Sequence, residues 1–201
     1  MSLAGRKALV TGASLGIGRA IGLELAAQGA DVAFTFQGDA APAESAAAAI
    51  RGLGRRAVPL DSDARSFTAA AEAVERAAGE LGGLDVLVNN AGVASDAVLW
   101  KMTEEQWDRV VGVNLKGCFN HLRAAAPRFK ESGRGWVVNI ASINGLRGKF
   151  GQSNYCASKA GVIGLTKAAA RELGPYGVNV NCVAPGMIET GMSAAVPEEF
   201  K

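Results

Sequence analysis

The 201-residue chain has a net charge of +2, 49% hydrophobic residues and 20% charged residues, a balance that speaks for one soluble globular domain over residues 1–201 and against a second. No basic block occurs, which argues against nucleic acid as a partner. No run approaches the ~18 apolar residues of a membrane span and the N-terminus is too short for a signal peptide, so a cytoplasmic protein with no membrane partner is expected.

Short β-branched runs alternate with longer Ala- and Leu-rich stretches, the signature of βαβ units and an α/β fold whose parallel sheet is covered on both faces. Strands are predicted near 7–11, 31–36, 56–60, 84–89, 135–141 and 177–183, and helices near 16–28, 42–53, 66–80, 103–112, 114–131 and 155–173. The first strand runs into Thr11-Gly12-Ala13-Ser14-Leu15-Gly16-Ile17-Gly18. A helix opening there presents unpaired amides and a positive dipole end, and glycines let backbone approach a pyrophosphate closely. The spacing is G-x-x-x-G-x-G rather than G-x-G-x-x-G, and no Lys-Ser/Thr follows to make a P-loop. A glycine-rich turn without a ligand is the other reading.

Gly29 is a candidate C-cap for the first helix, as is Gly174, before Pro175, for the last. Asp63, past the third strand, either accepts from an adenine amino group or caps the helix that follows. Asn89-Asn90-Ala91-Gly92 ends the fourth strand, where ligand sites of open parallel sheets gather; an ordinary Asn-rich turn explains it equally well. Thr103 and Gln106 read as a capping box. Asn114 falls where helix is expected to continue and is a mediocre helix former, either structural or able to hold a water through a local distortion. Ser142 ends the fifth strand, as a donor to a substrate oxygen or as a turn residue.

Tyr155 and Lys159 are four residues apart on the last helix, which sets a phenol beside an ammonium. Lowering a Tyr pKa from ~10 toward neutrality takes roughly 4 kcal/mol of phenolate stabilisation, which a fixed positive neighbour helps to supply. Two unrelated surface residues would show the same spacing. Cys118, Cys156 and Cys182 form no C-x-x-C pair and His121 is the single histidine, so no metal is expected and the thiols are expected reduced. Cys156, beside Tyr155, is the one open to alkylation.

Taken in order, Thr11-Gly12-x3-Gly16-x-Gly18, Asn89-Asn90-Ala91-Gly92, Asn114, Ser142, Tyr155-x3-Lys159 and Pro185-Gly186 resemble the short-chain dehydrogenase/reductase family over essentially the whole chain. The resemblance implies a single-domain Rossmann fold, a doubly wound parallel sheet in the order 3-2-1-4-5-6. It also implies hydride transfer between a nicotinamide and a carbonyl or secondary alcohol. It makes Tyr155 the general acid in reduction and base in oxidation, and Lys159 the group that lowers its pKa and bonds the nicotinamide ribose. Ser142 then holds the reacting oxygen, and Asn114 positions a water linking Lys159 to solvent. Cofactor contacts are implied at Gly12, Ser14, Leu15, Gly16, Ile17 and Gly18, at Gln37, and at Asp63 and Ala64 for the adenine. Asn90, with Ala91 and Gly92, would meet the adenosine-side ribose or the strand network. Pro185, Gly186, Ile188 and Thr190 would reach the carboxamide and phosphate ends.

The second strand ends Phe34-Thr35-Phe36-Gln37, without the acid that usually selects NAD(H) by accepting from the ribose 2′-hydroxyl. NADP(H) is therefore preferred, with NAD(H) second. The stretch Asn144-Gly145-Leu146-Arg147-Gly148-Lys149-Phe150-Gly151-Gln152 resembles that of 3-oxoacyl thioester reductases of the acyl-carrier-protein and acetoacetyl-CoA types. Arg147 and Lys149 either meet a phosphopantetheine or CoA phosphate or form a solvated basic turn. Other secondary alcohols, sugars or hydroxysteroids are the alternative substrates, and a non-catalytic dinucleotide-binding module the alternative class. Family members usually continue through another helix and a seventh strand, so a C-terminally incomplete chain is expected. Helices 114–131 and 155–173, with Ala157, Ala160, Gly161, Gly164 and Ala168, are expected to pair as a homodimer, with a homotetramer held second.

Overall fold

A computed structural model describes residues 2–189 of the chain. Six parallel strands, β1 (Lys7–Val10), β2 (Asp31–Phe36), β3 (Ala57–Asp61), β4 (Val86–Asn89), β5 (Gly135–Ile140) and β6 (Val178–Val183), form one sheet. The order is β3-β2-β1-β4-β5-β6, the doubly wound arrangement expected. Leu9 pairs with Ala33 on one side and Leu87 on the other, which sets β1 between β2 and β4 in the middle of the sheet. Strand β3 lies at one edge and holds Pro59, a residue without a ladder donor that edge strands tolerate.

The helices are α1 (Gly16–Ala27), α2 (Ala40–Gly52), α3 (Phe67–Leu81), α4 (Glu104–Val111), α5 (Gly117–Ser132), the short α6 (Asn144–Arg147) and α7 (Ser153–Leu173). Against one face of the sheet, Val74 and Leu81 of α3, Leu122 and Phe129 of α5, and Leu173 of α7 bury with Leu9, Leu87 and Val137. Against the other, Ala26 of α1 and Ala43, Ala47 and Ile50 of α2 bury with Val10, Phe34 and Val88. Each fully buried large side chain contributes roughly 1.5–3 kcal/mol by leaving water. Alanine dominates α2 and α3, which lets both helices lie close against the sheet.

Local signals mostly behave as written. Gly29 turns left-handed (φ 99) after α1, and Thr103 Oγ1 accepts from Gln106 N at 3.2 Å while Gln106 Oε1 accepts from Thr103 N at 3.0 Å. Gly174 caps α7 as expected, in helical rather than left-handed backbone (φ −53), and leads a further turn, Gly174–Tyr176, which the left-handed Gly177 (φ 74) stops. One expectation is corrected. No break separates α4 from α5: a π-helical turn, Gly112–Lys116, joins them, and Gly117 N reaches back five residues to Gly112 O. Composition alone does not register a widened turn, because it keeps helical dihedrals.

Candidate active site

The carboxyl ends of β1, β2, β4 and β5 open into a cleft of about 450 Å³. Gly12 (φ 64) and Gly16 (φ 55) take left-handed backbone, which carries the chain sharply from β1 into α1. A Cβ on Gly18 would stand 2.4 Å from both Gly12 O and Asn90 Nδ2, so only glycine lets α1 start there. Leu15 at its N-cap offers no side-chain bond, and the first turn has no acid, which leaves amides and dipole directed at the cleft. Lys159 is the one charged side chain among the described residues lining that cleft. These features fit a dinucleotide pyrophosphate.

The turn is held from β4. Thr11 Oγ1 accepts from Asn90 N and Ala91 N, both at 3.0 Å. Asn90 Nδ2 donates to Thr11 O at 3.0 Å and Gly12 O at 2.9 Å, so of its two expected roles the structure displays the strand network. Behind it, Asn89 Nδ2 donates to Asn139 Oδ1, and Asn139 Nδ2 to Thr166 Oγ1, both at 2.9 Å. That buried chain ties β4 to β5 and α7, and thereby registers the two halves of the cleft.

On the other side stand Ser142, after β5, and Tyr155 and Lys159 on α7. Asn154 fixes the start of α7: its Oδ1 accepts from Tyr155 N at 2.7 Å, and its Nδ2 donates to Ser95 O and Gln106 O at 2.9 and 3.0 Å. Burial pushes the Tyr155 phenol above its ordinary pKa of 10.0, opposed by a hydrogen bond with Ser142. Lys159 Nζ donates to Ile140 O at 2.7 Å and sits 5.7 Å from the Tyr155 ring centroid. Burial pushes this ammonium down to about 8. The expected lowering of Tyr155 by Lys159 is thus reversed here: desolvation outweighs any help from an amine committed to a backbone carbonyl.

Asn114 lies in the π turn, buried, beside this pair. Its Oδ1 accepts from Val93 N at 2.8 Å, and its Nδ2 donates to Val93 O at 3.0 Å and Ser158 Oγ at 3.1 Å. A Cβ on Gly92 would stand 3.4 Å from Asn114 Oδ1 and 3.5 Å from Lys159 Nζ. Glycine there keeps the approach to Lys159 open.

Most of the residues proposed for the cofactor meet in this cleft: Gly12, Leu15, Gly16, Ile17 and Gly18 from the turn, Gln37 and Ala64 from the β2 and β3 ends, Asn90, Ala91 and Gly92, and Pro185 and Gly186. Ser14 is not among its lining. Ile188 lines a neighbouring groove with Ile17, Ile21 and Leu25, and Thr190 lies outside the described residues. Asp63 does not present a free carboxylate, because Arg65 engages both its oxygens, with Nη2 2.7 Å from Oδ2. Nor does it cap α3; Ser66 does, accepting from Ala69 N at 3.1 Å.

Sequence reading passed over Thr35, Ser62, Val93, Val113 and Ile140, which also line the cleft; for Thr35, Ser62 and Ile140 a position at a strand end was the available signal, whereas Val113 comes from the π turn. It also missed the chain in which Gln152 Nε2 donates to Asp96 Oδ2 at 2.8 Å and Asn144 Nδ2 to Gln152 Oε1 at 3.1 Å, which pins the loop before Tyr155. Cys118 is buried and pushed up to about 12. No group of metal-binding side chains occurs among the described residues, and no helix among them is long and apolar enough to cross a membrane.

The family model described as short chain dehydrogenase matches residues 6–200. The chain is 43% identical over 196 residues to the 3-oxoacyl-[acyl-carrier-protein] reductase FabG of Staphylococcus aureus, covering 98% of this chain and 80% of that protein. It is 45% identical over 195 residues to an acetoacetyl-CoA reductase of Rhizobium meliloti, covering 96% and 78%. The crystal structure of a short chain dehydrogenase from Burkholderia cenocepacia in complex with NADP superposes with a TM-score of 0.93 at 41% identity, covering 99% of this chain and 81% of that one. With its glycine turn, its strand order and a match across nearly its whole length, this chain belongs to the short chain dehydrogenase family.

Proposed function

We propose that the protein is an NADP(H)-dependent reductase of 3-oxoacyl thioesters. The observation that carries the reading is the convergence of Ser142, Tyr155 and Lys159 on one cleft with the glycine turn. Two relatives, named for reduction of 3-oxoacyl-[acyl-carrier-protein] and of acetoacetyl-CoA, support the substrate class. A neighbour solved with NADP and the missing acid at the end of β2 support the cofactor.

A bound nicotinamide supplies the hydride. Ser142 Oγ donates to the carbonyl oxygen as negative charge develops there. Tyr155 gives that oxygen its phenolic proton, and its raised pKa keeps the proton in place at neutral pH. Lys159, at about 8, is poised to return a proton toward Tyr155. Asn114 Oδ1 accepts one bond from protein and keeps a lone pair for the water of the relay.

Beside Cys156 a groove of about 290 Å³ is lined by Val98, Leu99, Trp100 and Phe150, with Lys149 among its walls. Its apolar floor suits an acyl or pantetheine arm, and Lys149 with nearby Arg147 suits the phosphate beyond it. We also propose a homodimer through α5 and α7, possible as half of a homotetramer. Ala157, Ala160, Gly164 and Ala168 are exposed on α7, with Trp107 and Phe119 exposed on α4 and α5. Gly161 has a different use: it admits Leu115 of the same chain, whose Cδ2 lies 2.7 Å from where a Cβ would stand.

Acetoacetyl-CoA assayed beside simple ketones, each with NADPH and NADH, tests the reading. Faster turnover of acetoacetyl-CoA with NADPH is expected; turnover confined to the ketones would remove the thioester assignment.

A further inference from the structure

Ser142 Oγ accepts from Asn144 N at 3.2 Å, which commits an oxygen lone pair to the backbone and leaves the hydroxyl proton to be given away. The amide that directs it belongs to α6, a single turn of four residues, Asn144–Arg147, which cannot hold itself because helix nucleation is costly. Two contacts hold it. A Cβ on Gly145 would stand 2.8 Å from Lys159 C and from Ala160 N, so α6 lies directly on α7. On its other side Asn144 Nδ2 donates to Gln152 Oε1 at 3.1 Å, and Gln152 Nε2 donates to Asp96 Oδ2 at 2.8 Å.

Gln152 is 8% exposed and lines neither the cleft nor the apolar groove beside Cys156, so its amide is spent on other side chains. A carboxylate only accepts, which makes Asp96 decide which end of the Gln152 amide is its NH2. The Gln152 oxygen then faces Asn144, which turns its own NH2 to Gln152 and its Oδ1 to Arg147 Nε at 3.3 Å. Asp96 thus sets the polarity of the whole chain of bonds. Its segment is anchored independently: Ala97 N donates to Gly151 O and Asn154 Nδ2 to Ser95 O, both at 2.9 Å.

We propose that Gln152 is a positioning residue for carbonyl reduction: held by Asp96, it fixes Asn144 and α6 so that Ser142 offers its hydroxyl proton to the reacting oxygen. Such a residue acts on the rate through geometry, where a misplacement of about 1 Å costs up to about 10²-fold. The inference rests on the reductase reading and adds to it a residue that acts through another.

Single-turnover oxidation of NADPH by excess protein, read with acetoacetyl-CoA and with simple ketones, tests it beside NADPH titration. Gln152→Glu faces Asp96 with a second carboxylate; hydride transfer should fall about tenfold while NADPH affinity stays within about twofold. Adding Asp96→Asn restores a donor between the two positions and should return the rate to within about threefold of wild type. In a Ser142→Ala background, Gln152→Glu should change the rate by less than about twofold, because its effect passes through Ser142; a merely structural role would cost the same factor in both backgrounds. Asn144→Ala, which is independent of how Gln152→Glu folds, should lower the rate about fivefold, again only where Ser142 is present. A rate within about twofold of wild type in Gln152→Glu or Asn144→Ala, a loss that Asp96→Asn does not recover, or equal losses with and without Ser142 would each overturn the inference alone. Wild-type protein that reduces neither acetoacetyl-CoA nor the ketones defeats the reductase reading and this inference together.

Discussion

The two sides of the cleft are built on different terms. Around the glycine turn every position is set by backbone: left-handed glycines, a Gly18 with no room for a Cβ, and Thr11 and Asn90 bonded to main chain. Around Tyr155 and Lys159, ionisable side chains are buried, displaced from their ordinary pKa values, and not yet coupled to each other. A surface that binds an anion is finished when the chain folds, because amides need no protonation change. A proton donor is held away from its equilibrium preference, and burial is the means.

The contrast can be broken most directly at Tyr155. Removing the phenolic hydroxyl in Tyr155→Phe should lower kcat for acetoacetyl-CoA reduction about 10³-fold, in the range of a lost general acid. NADPH titration and melting temperature should hardly move. A loss below about tenfold would place the proton donor elsewhere.

Lys159 gives the next largest effect, on stability. Its pKa falls from 10.5 to about 8 on folding, so below pH 8 the folded chain must bury a charge that the unfolded chain leaves in water. Stability of the ligand-free protein should therefore rise as pH increases from about 8 to 10.5 and level off above. Lys159→Met should stabilise the protein by about 2 kcal/mol at pH 7, the relief of desolvation less the lost bond to Ile140 O, while abolishing turnover. Chemical denaturation across this pH range measures both; a destabilised Lys159→Met would contradict the picture of a strained ammonium.

On the glycine side, Gly18→Ala should cost about 1–3 kcal/mol by forcing a Cβ against backbone, and should weaken NADPH binding as well. Here stability and binding fall together, whereas Lys159→Met separates stability from function. A Gly18→Ala protein with wild-type NADPH affinity would show that the turn has more freedom than its contacts imply.

The smallest effect lies outside the cleft. His121 is buried in α5 with Nδ1 2.9 Å from Gly117 O and Nε2 without a partner, and burial lowers its pKa from 6.5. Its neutral form is the one the fold accepts, so its contribution is complete above pH 6.5 and declines as pH falls below. His121→Gln should flatten that slope, read from denaturation midpoints between pH 7 and 5; an unchanged slope would assign the acid sensitivity to other groups.

Much of this was legible in residue order. The strands were visible because β1 and β2 are mostly buried on both faces and carry short apolar stretches, Ala8–Val10 and Val32–Phe34. Tyr155 and Lys159 were visible because i,i+4 spacing on a helix is a local property. The short α6 was not, since Asn144–Arg147 is held in part by Gln152 of the following segment. Nor was the junction of α4 and α5, where Asn114 is drawn in by Val93 and Ser158, residues 21 and 44 positions away.

The sequence by itself determined the order of elements, the glycine turn at the end of β1, and the pairing of Tyr155 with Lys159 on one helix, because periodicity and short-range spacing act within a few residues. Only the tertiary structure decided what those side chains do when they arrive. Lys159 turns to Ile140 O, Tyr155 is pushed up rather than down, and Asp63 is silenced by an Arg65 seated on Gly112. Each of these outcomes depends on burial and on distances between segments far apart in the chain, and electrostatic strength follows those quantities rather than residue order.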